Sequence, residues 1–367
     1  MGIYLITFAI STLLFYLASK VENNKGSIAL SLIAMVPPIF IAGMRDPDVG
    51  IDIFTYGYDV WNAACSSGSW SSFYSWYGDT SIEIGYLVVN FIVSRFSTDI
   101  HVFFAVHEFL LLLFIILTAK KLKTPYLLWF LPLFFYLYLY NESLSMLRQS
   151  LAVMMGLYVS TFIFEKKIIP FYIGCIICYL FHHSAAFMFM LYPIAYLVRR
   201  FRNKKITLLI LIVLGTLVVI SFYQLIMNSL ISAGLADAKY EMYVGDEGNK
   251  THKVDLAFLA AITLMLLIFV KKKQRLFPDF YFTVFFTIIG FSMTLLGSLV
   301  EVANRAAYYI IVPLSYMVTE TTIGNSKRKL LLTSFIILLA VRFFYLAITT
   351  QTGGTIPYKS MLLDYLL

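Results

Sequence analysis

A few charged and polar residues stand where an apolar chain does not ordinarily keep them. The stretch 44–83 carries Asp46, Asp48, Asp52, Asp59, Asp79 and Glu83 against a single basic residue, Arg45, among many Tyr, Trp, Ser and Gly. Aromatic faces beside carboxylates and hydroxyls suit sugar rings, which present apolar C–H faces and polar edges. A solvated loop with an interfacial aromatic belt accounts for the same composition. Asp46-Pro-Asp48 matches the D-x-D of metal-dependent transferases, but three residues recur by chance and no metal site is read from them. His182 and His183 stand together between two apolar runs, Arg148-Gln149 opens another, and Glu301 and Arg305 are spaced i, i+4 at the start of a third. His101 and Glu108 share one helix face, with His107 beside them. Arg342 lies well inside the last apolar run. An ionised side chain within a bilayer costs at least roughly 2.5–3.5 kcal/mol and therefore faces a cavity and a partner. For Arg342 the partner can equally be structural, for instance Glu108, and Glu301–Arg305 can be a structural pair too.

The elements that position these residues belong to a membrane protein. Of the 367 residues, 60% are hydrophobic and 13% charged, with a mean hydropathy of +0.82. A soluble domain has about 45–50% and 25%. A chain this apolar cannot cover itself with a polar surface, which excludes a soluble globule, a disordered chain, a coiled coil and a disulfide scaffold. The net charge of +8 does not indicate nucleic acid, because the basic residues gather in short clusters between apolar runs. These lie at Lys20/Lys25, 120–123, 165–167, 199–205, 271–275 and 327–329, a pattern that marks the cytoplasmic side.

The runs between clusters predict an all-α polytopic integral membrane protein with about 12 transmembrane helices, a single membrane domain over 1–367. Helices are expected near 3–19, 27–43, 99–118, 124–140, 146–164, 168–181, 184–198, 206–222, 256–270, 278–298, 303–319 and 331–349. The first lacks the basic n-region and cleavage site of a signal peptide. Keeping every cluster cytoplasmic places outer loops at 44–98 and 223–255, with shorter ones at 141–146 and 299–303. It also makes 82–96 a juxtamembrane or re-entrant helix. The alternative, with 82–96 as a true span, leaves a loop with only one basic residue in the cytoplasm. The runs at 168–181 and 184–198 must form a tight hairpin. From Lys167 to His182 a helix rises only about 22 Å, short of a hydrocarbon core of about 30 Å. His182 and His183 are thus expected below the outer surface, in a groove open to the outside. Cys175 and Cys178 lie in an apolar run without metal partners and Cys65 stands alone outside, so no disulfide is expected.

Several short motifs occur in order: G-M-R-D-P-D-V-G-I-D followed by Tyr56 and Tyr58, E-I-G-Y at 83–86, L-R-Q-S at 147–150, F-H-H-S at 181–184, N-R-A-A-Y at 304–308 and P-Y-K-S at 357–360. Together they resemble the EpsG branch of the Wzy polysaccharide polymerases over nearly the whole chain, whereas the variable 223–255 loop carries none of these motifs. The resemblance implies a GT-C-like fold in the bacterial inner membrane, with the active site facing the periplasm or outside. The implied activity transfers a growing glycan from undecaprenyl diphosphate to the terminal sugar of the next lipid-linked repeat unit. Such a leaving group needs fixed cations, and Arg offers planar bidentate donors to phosphate. Arg148 and Arg305 are therefore expected to stabilise the diphosphate, with Arg45 and Arg342 as further candidates. Asp52, ahead of His182, is the expected acceptor for the proton of the attacking hydroxyl. Tyr56, Glu83, Gln149, His183, Asn304 and Tyr358 are expected to bind substrate. No metal and no other cofactor is expected. The expected partners are lipid-linked oligosaccharides and membrane lipids, with a chain-length regulator and a flippase as candidate proteins. An O-antigen ligase or other GT-C transferase differs only in acceptor. A transporter is a different class, disfavoured because no internal repeat is evident and the unusual charges gather at one face.

Overall fold

The computed structural model describes residues 1–78, 80–201, 250–269, 280–297, 301–322 and 326–361, and every regular element among them is helical. In chain order these are α1 (Gly2–Ala18), α2 (Asn24–Met44), a π-helical turn (Ile53–Gly57) running into α3 (Tyr58–Ser66), α4 (Trp70–Tyr77), α5 (Ile84–Ser94), α6 (Ile100–Leu122), α7 (Leu127–Tyr138), α8 (Tyr140–Ser143), α9 (Leu147–Phe164) and α10 (Ile168–Phe181). A 3-10 turn (His183–Phe187), α11 (Met188–Arg200), α12 (Lys250–Phe269), α13 (Phe280–Gly297), α14 (Glu301–Thr321), α15 (Arg328–Thr349) and α16 (Gln351–Gly354) follow. The expected helix at 206–222, most of the 223–255 loop and the 271–275 cluster lie outside the described residues. Helices α2, α6, α9, α13 and α15 are long and apolar enough to cross a membrane, and α1, α5, α7 and α10 are shorter apolar helices. Large apolar side chains such as Ile6, Val36, Phe40, Ile169 and Ile348 remain exposed, as a polytopic membrane protein requires of its lipid-facing surface.

The chain forms two compact units, Met1–Ala186 with Leu339–Leu367, and Phe187–Leu338. In the first, α1 packs on α2 and α7, α2 on α6, α6 on α9, and α9 on α10. Pro37 and Pro38 interrupt α2. Pro38 has no N–H to offer the Ala34 carbonyl, and the Ser11 hydroxyl of α1 donates to that carbonyl at 2.6 Å instead. The end of α2 is finished by side chains from elsewhere. Its terminal carbonyls have no partner in the helix. Tyr358 donates to Ile41, His101 Nδ1 to Gly43 at 2.7 Å, and Ser360 to Met44.

Between α2 and α6 lies more structure than a solvated loop. Helices α3, α4 and α5 build a core around Val60, Trp61, Ala64, Phe73, Tyr86 and Leu87. Trp61 donates its indole N–H to the Thr98 carbonyl at 3.3 Å, and Phe73 stacks on Phe91. Arg95 closes α3 by donating to the Ser67 and Ala64 carbonyls. Part of the aromatic content expected at a sugar surface is therefore packing, whereas Phe54, Tyr58 and Trp76 stay exposed. With 11 residues, α5 rises about 16 Å, too little to cross a hydrocarbon core.

In the second unit α13 packs against α12, α14 and α11. Thr283 and Thr321 share a buried hydroxyl hydrogen bond of 2.6 Å. A Cβ on Gly297 would come within 2.9 Å of the Asn304 Cα, so this glycine lets α13 and α14 meet closely beside Arg305.

Candidate functional site

The site builds from the turn after α2. Asp46 and Asp48 do not point into a shared site. The Asp46 carboxylate accepts from the Met361 N–H at 2.7 Å, and Asp48 pairs with Lys359 at 2.7 Å. Gly50 then turns the chain with φ +108°, where a Cβ would meet the Leu144 carbonyl oxygen at 2.6 Å. Only glycine takes that conformation and that approach without strain. The next N–H, of Ile51, donates to Ser145 Oγ at 3.1 Å, which pins the turn just ahead of α9. The chain enters the π-helical turn at Asp52, and Tyr56, one turn on, donates its hydroxyl to Asp52 Oδ2 at 2.7 Å. Burial first, and the Asp52 charge second, push the Tyr56 hydroxyl well above its usual range, so it stays protonated and remains the donor.

Arg148 lies across this pair from the first turn of α9, its guanidinium over the Tyr56 ring at 4.2 Å. Its Nη1 donates to Glu83 Oε2 at 2.5 Å and to the Ser81 carbonyl at 3.3 Å. Its Nε finds no hydrogen-bond partner among the described residues. The start of α9 is anchored in turn by His107, whose Nε2 lies 2.8 Å from the Leu147 carbonyl and therefore carries the proton. The other Glu83 oxygen accepts from the His183 N–H at 3.1 Å, with the His183 ring 3.7 Å away. Glu83 is buried, Asp52, Tyr56 and Arg148 are half-buried, and His183 is exposed, so the group is partly open among the described residues. His182 is buried and its Nδ1 accepts from the Ser184 N–H at 3.2 Å. With Nδ1 accepting, the ring proton sits on Nε2.

The meeting of α5 with the end of α10 depends on Gly85. A Cβ there would sit 2.7 Å from the Leu180 carbonyl oxygen and 2.9 Å from Phe181 Cγ. Gly85→Ala must push the two helices apart, at about 1–3 kcal/mol, and draw Glu83 away from His183. The expected outcome is a lower Tm in detergent together with reduced activity, read by thermal unfolding and turnover on the same preparation.

Burial by itself raises the Glu83 pKa, but Arg148, His182 and the backbone N–H donors outweigh it and hold the carboxyl below its ordinary range. A depressed acid contributes stability that is complete above its unfolded pKa and is lost as pH falls through the lower folded one. The Glu83 contribution is therefore expected to be constant between about pH 5 and 8 and to fade only in stronger acid. Thermal unfolding of Glu83→Gln against the wild type across pH 3–8 checks this, the two curves converging at the acid end.

Other expected site residues lie elsewhere. Arg45 is buried with its guanidinium 4.0 Å over the Phe104 ring. Arg45 Nε and Nη2 and both Glu108 oxygens find no hydrogen-bond partner among the described residues. Arg342 is buried too, donating to the Tyr138 carbonyl at 2.9 Å and to Glu142 at 3.3 Å. That geometry supports the structural ion pair, with Glu142 in the place suggested for Glu108. The only advance signal of Glu142 was an acid in the short 141–146 loop. Gln149 is buried in α9, and Tyr358 closes the end of α2. Asn304 and Arg305 belong to the second unit, both half-buried, and the Glu301 side chain lies outside the described residues. His107, Ser145 and Gly85, which set the positions of Arg148, Asp52 and Glu83, were not singled out for those roles by sequence.

No curated protein and no solved structure matches the chain. A family model does: it runs from residue 28 to residue 360 and so takes in the Asp52 turn, Glu83, Arg148 and the histidine pair, and on that match the chain belongs to the EpsG family.

Proposed function

We propose that this protein is a membrane glycosyltransferase that polymerises undecaprenyl-diphosphate-linked oligosaccharide repeat units. The observation that carries the reading is the convergence of Asp52, Tyr56, Arg148, Glu83 and His183 in one partly open cluster. Membership of the EpsG family supports the same reaction class. In this reading the bond from the anomeric carbon of the growing glycan to the lipid diphosphate breaks, and a hydroxyl of the next lipid-linked unit takes its place. Arg148, aimed by Glu83 and backed by Tyr56, stabilises the charge developing on the diphosphate. Asp52, held by the Tyr56 hydroxyl, accepts the proton of the attacking hydroxyl. The tautomer set by Ser184 favours His182 as a donor rather than as the base. Arg305 is proposed as a further phosphate ligand. The reading includes about 12 crossings in a GT-C-like arrangement in the bacterial inner membrane. It also includes lysine clusters in the cytoplasm, the 44–98 segment facing the periplasm, a chain-length regulator and a flippase as partners, and no metal requirement.

The test supplies purified protein with a lipid-linked repeat unit and no nucleotide sugar. A ladder of repeats is expected. Transfer only to a different acceptor indicates a ligase, and counterflow of intact substrate across vesicles without product indicates a transporter.

A further inference from the structure

At the lysine-rich end of the first unit, a cavity of about 200 Å³ opens between the α1–α2 turn and the last turn of α6. Ser19, Asn24, Ser27, Lys120, Lys123 and Thr124 line it. Lys120 Nζ reaches only neutral oxygens among the described residues, Ser27 Oγ at 2.8 Å and Asn24 Oδ1 at 3.5 Å. The Lys123 ammonium makes no ion pair among them, whereas neighbouring Lys121 pairs with Glu165 at 3.7 Å. Glu22 is the one acid in the lining, and Lys20 and Lys25 flank it in sequence, so the cavity stays cationic. Asn24 and Ser27 belong to the first turn of α2, whose dipole adds to the positive potential even though Asn23 Oδ1 caps the Lys25 N–H.

A second concavity, of about 440 Å³, runs between α1 and α7 and is lined by Leu5, Leu13, Tyr16, Trp129, Leu133 and Leu137. The two lie end to end, with no lining residue in common. Tyr16 and Ser19 are a turn apart at the end of α1, and Leu128 of the first cavity adjoins Trp129 of the second on α7. Tyr16 and Trp129 meet edge to face, 6.1 Å between ring centres, at the join. Such rings favour the depth where hydrocarbon gives way to headgroups. A soluble anion needs only the first cavity and a neutral lipid only the second. The two together fit an amphiphile with a negative head.

We propose that this is a binding site for an anionic glycerophospholipid, its phosphodiester on Lys120 and Lys123 and one acyl chain between α1 and α7. Basic pockets between transmembrane helices hold such headgroups in this way. Lys120 lies about 20 Å along α6 from His107, which anchors Arg148, so the site is separate from the Asp52–Arg148 cluster. It stands whether or not the reaction proposed above is correct.

The experiment measures Tm of delipidated full-length protein in detergent with added phosphatidylglycerol, phosphatidylcholine or inorganic phosphate. Phosphatidylglycerol is expected to raise Tm by roughly 2–4 °C and the other two to leave it unchanged. The Lys120→Gln/Lys123→Gln variant is expected to lose that increment. So is Leu13→Trp, which fills the groove from an exposed position. Equal stabilisation by phosphatidylcholine overturns the headgroup assignment, and equal stabilisation by phosphate overturns the lipid. An increment that survives both variants places the lipid elsewhere and overturns the site.

Discussion

Arg148→Ala is expected to lower chain elongation by about 10²–10³-fold in turnover, the loss typical of removing one preorganised donor from a developing anion. Arg148→Lys is expected to recover little. The guanidinium lies over the Tyr56 ring while bonding Glu83 and the Ser81 carbonyl, and a compact ammonium cannot serve all three. The single substitution carries a second effect, because it leaves the buried Glu83 carboxylate without its cation, at about 3–5 kcal/mol of stability. The two effects separate in Arg148→Met/Glu83→Gln, in which neither side chain carries a charge. That variant is expected to regain much of the wild-type Tm and none of the activity, measured as repeat ladders and thermal unfolding on the same samples. Wild-type chain lengths from Arg148→Ala at normal protein level would remove Arg148 from the reaction.

Asp52→Asn is expected to reduce turnover by about 10²–10⁴-fold, the usual contribution of a positioned base, with little change in Tm. The amide keeps the shape and can still accept from Tyr56, so the turn after Gly50 persists while the proton acceptor is gone. Tyr56→Phe removes the hydroxyl that holds Asp52 but keeps the ring under Arg148, and is expected to cost about tenfold. A normal rate from Asp52→Asn transfers the role of base to another group, and His182→Gln becomes the deciding variant.

The helices were legible because apolar runs alternate with lysine and arginine clusters, a signal that bilayer solvation imposes on composition itself. The expected 27–43 and the observed Asn24–Met44 differ by a turn at one end, as do 99–118 and Ile100–Leu122. Asp52, Tyr56, Glu83, Arg148 and His183 were legible as motif residues, and the structure brings these five together. Their pairing was not legible. Glu83 and Arg148 stand 65 positions apart, and nothing local in either segment selects the other. Trp61 and Phe73 were read as a sugar surface or an interfacial belt, because composition does not say which face of a short helix turns inward. Arg342 was readable as a charge in need of a partner, but the choice of Glu142 over Glu108 depends on how α8 packs. Tyr358 and Ser360, read as part of a substrate motif, close the end of α2 because its carbonyls need donors that the helix cannot supply.

That closure has a consequence for how the protein is made. The Asp46 carboxylate waits for the Met361 N–H, 315 positions further along the chain, and the Ile41 and Met44 carbonyls wait for Tyr358 and Ser360. While the ribosome is still translating the intervening helices, the nascent turn that leads to Asp52 has an unfinished hydrogen-bond pattern. A chain stalled or cut before residue 355 can insert its early helices and still leave that turn unlatched. The turn that leads to Asp52 is thus completed only when residues 358–361 are in place, and a prematurely terminated molecule leaves it open.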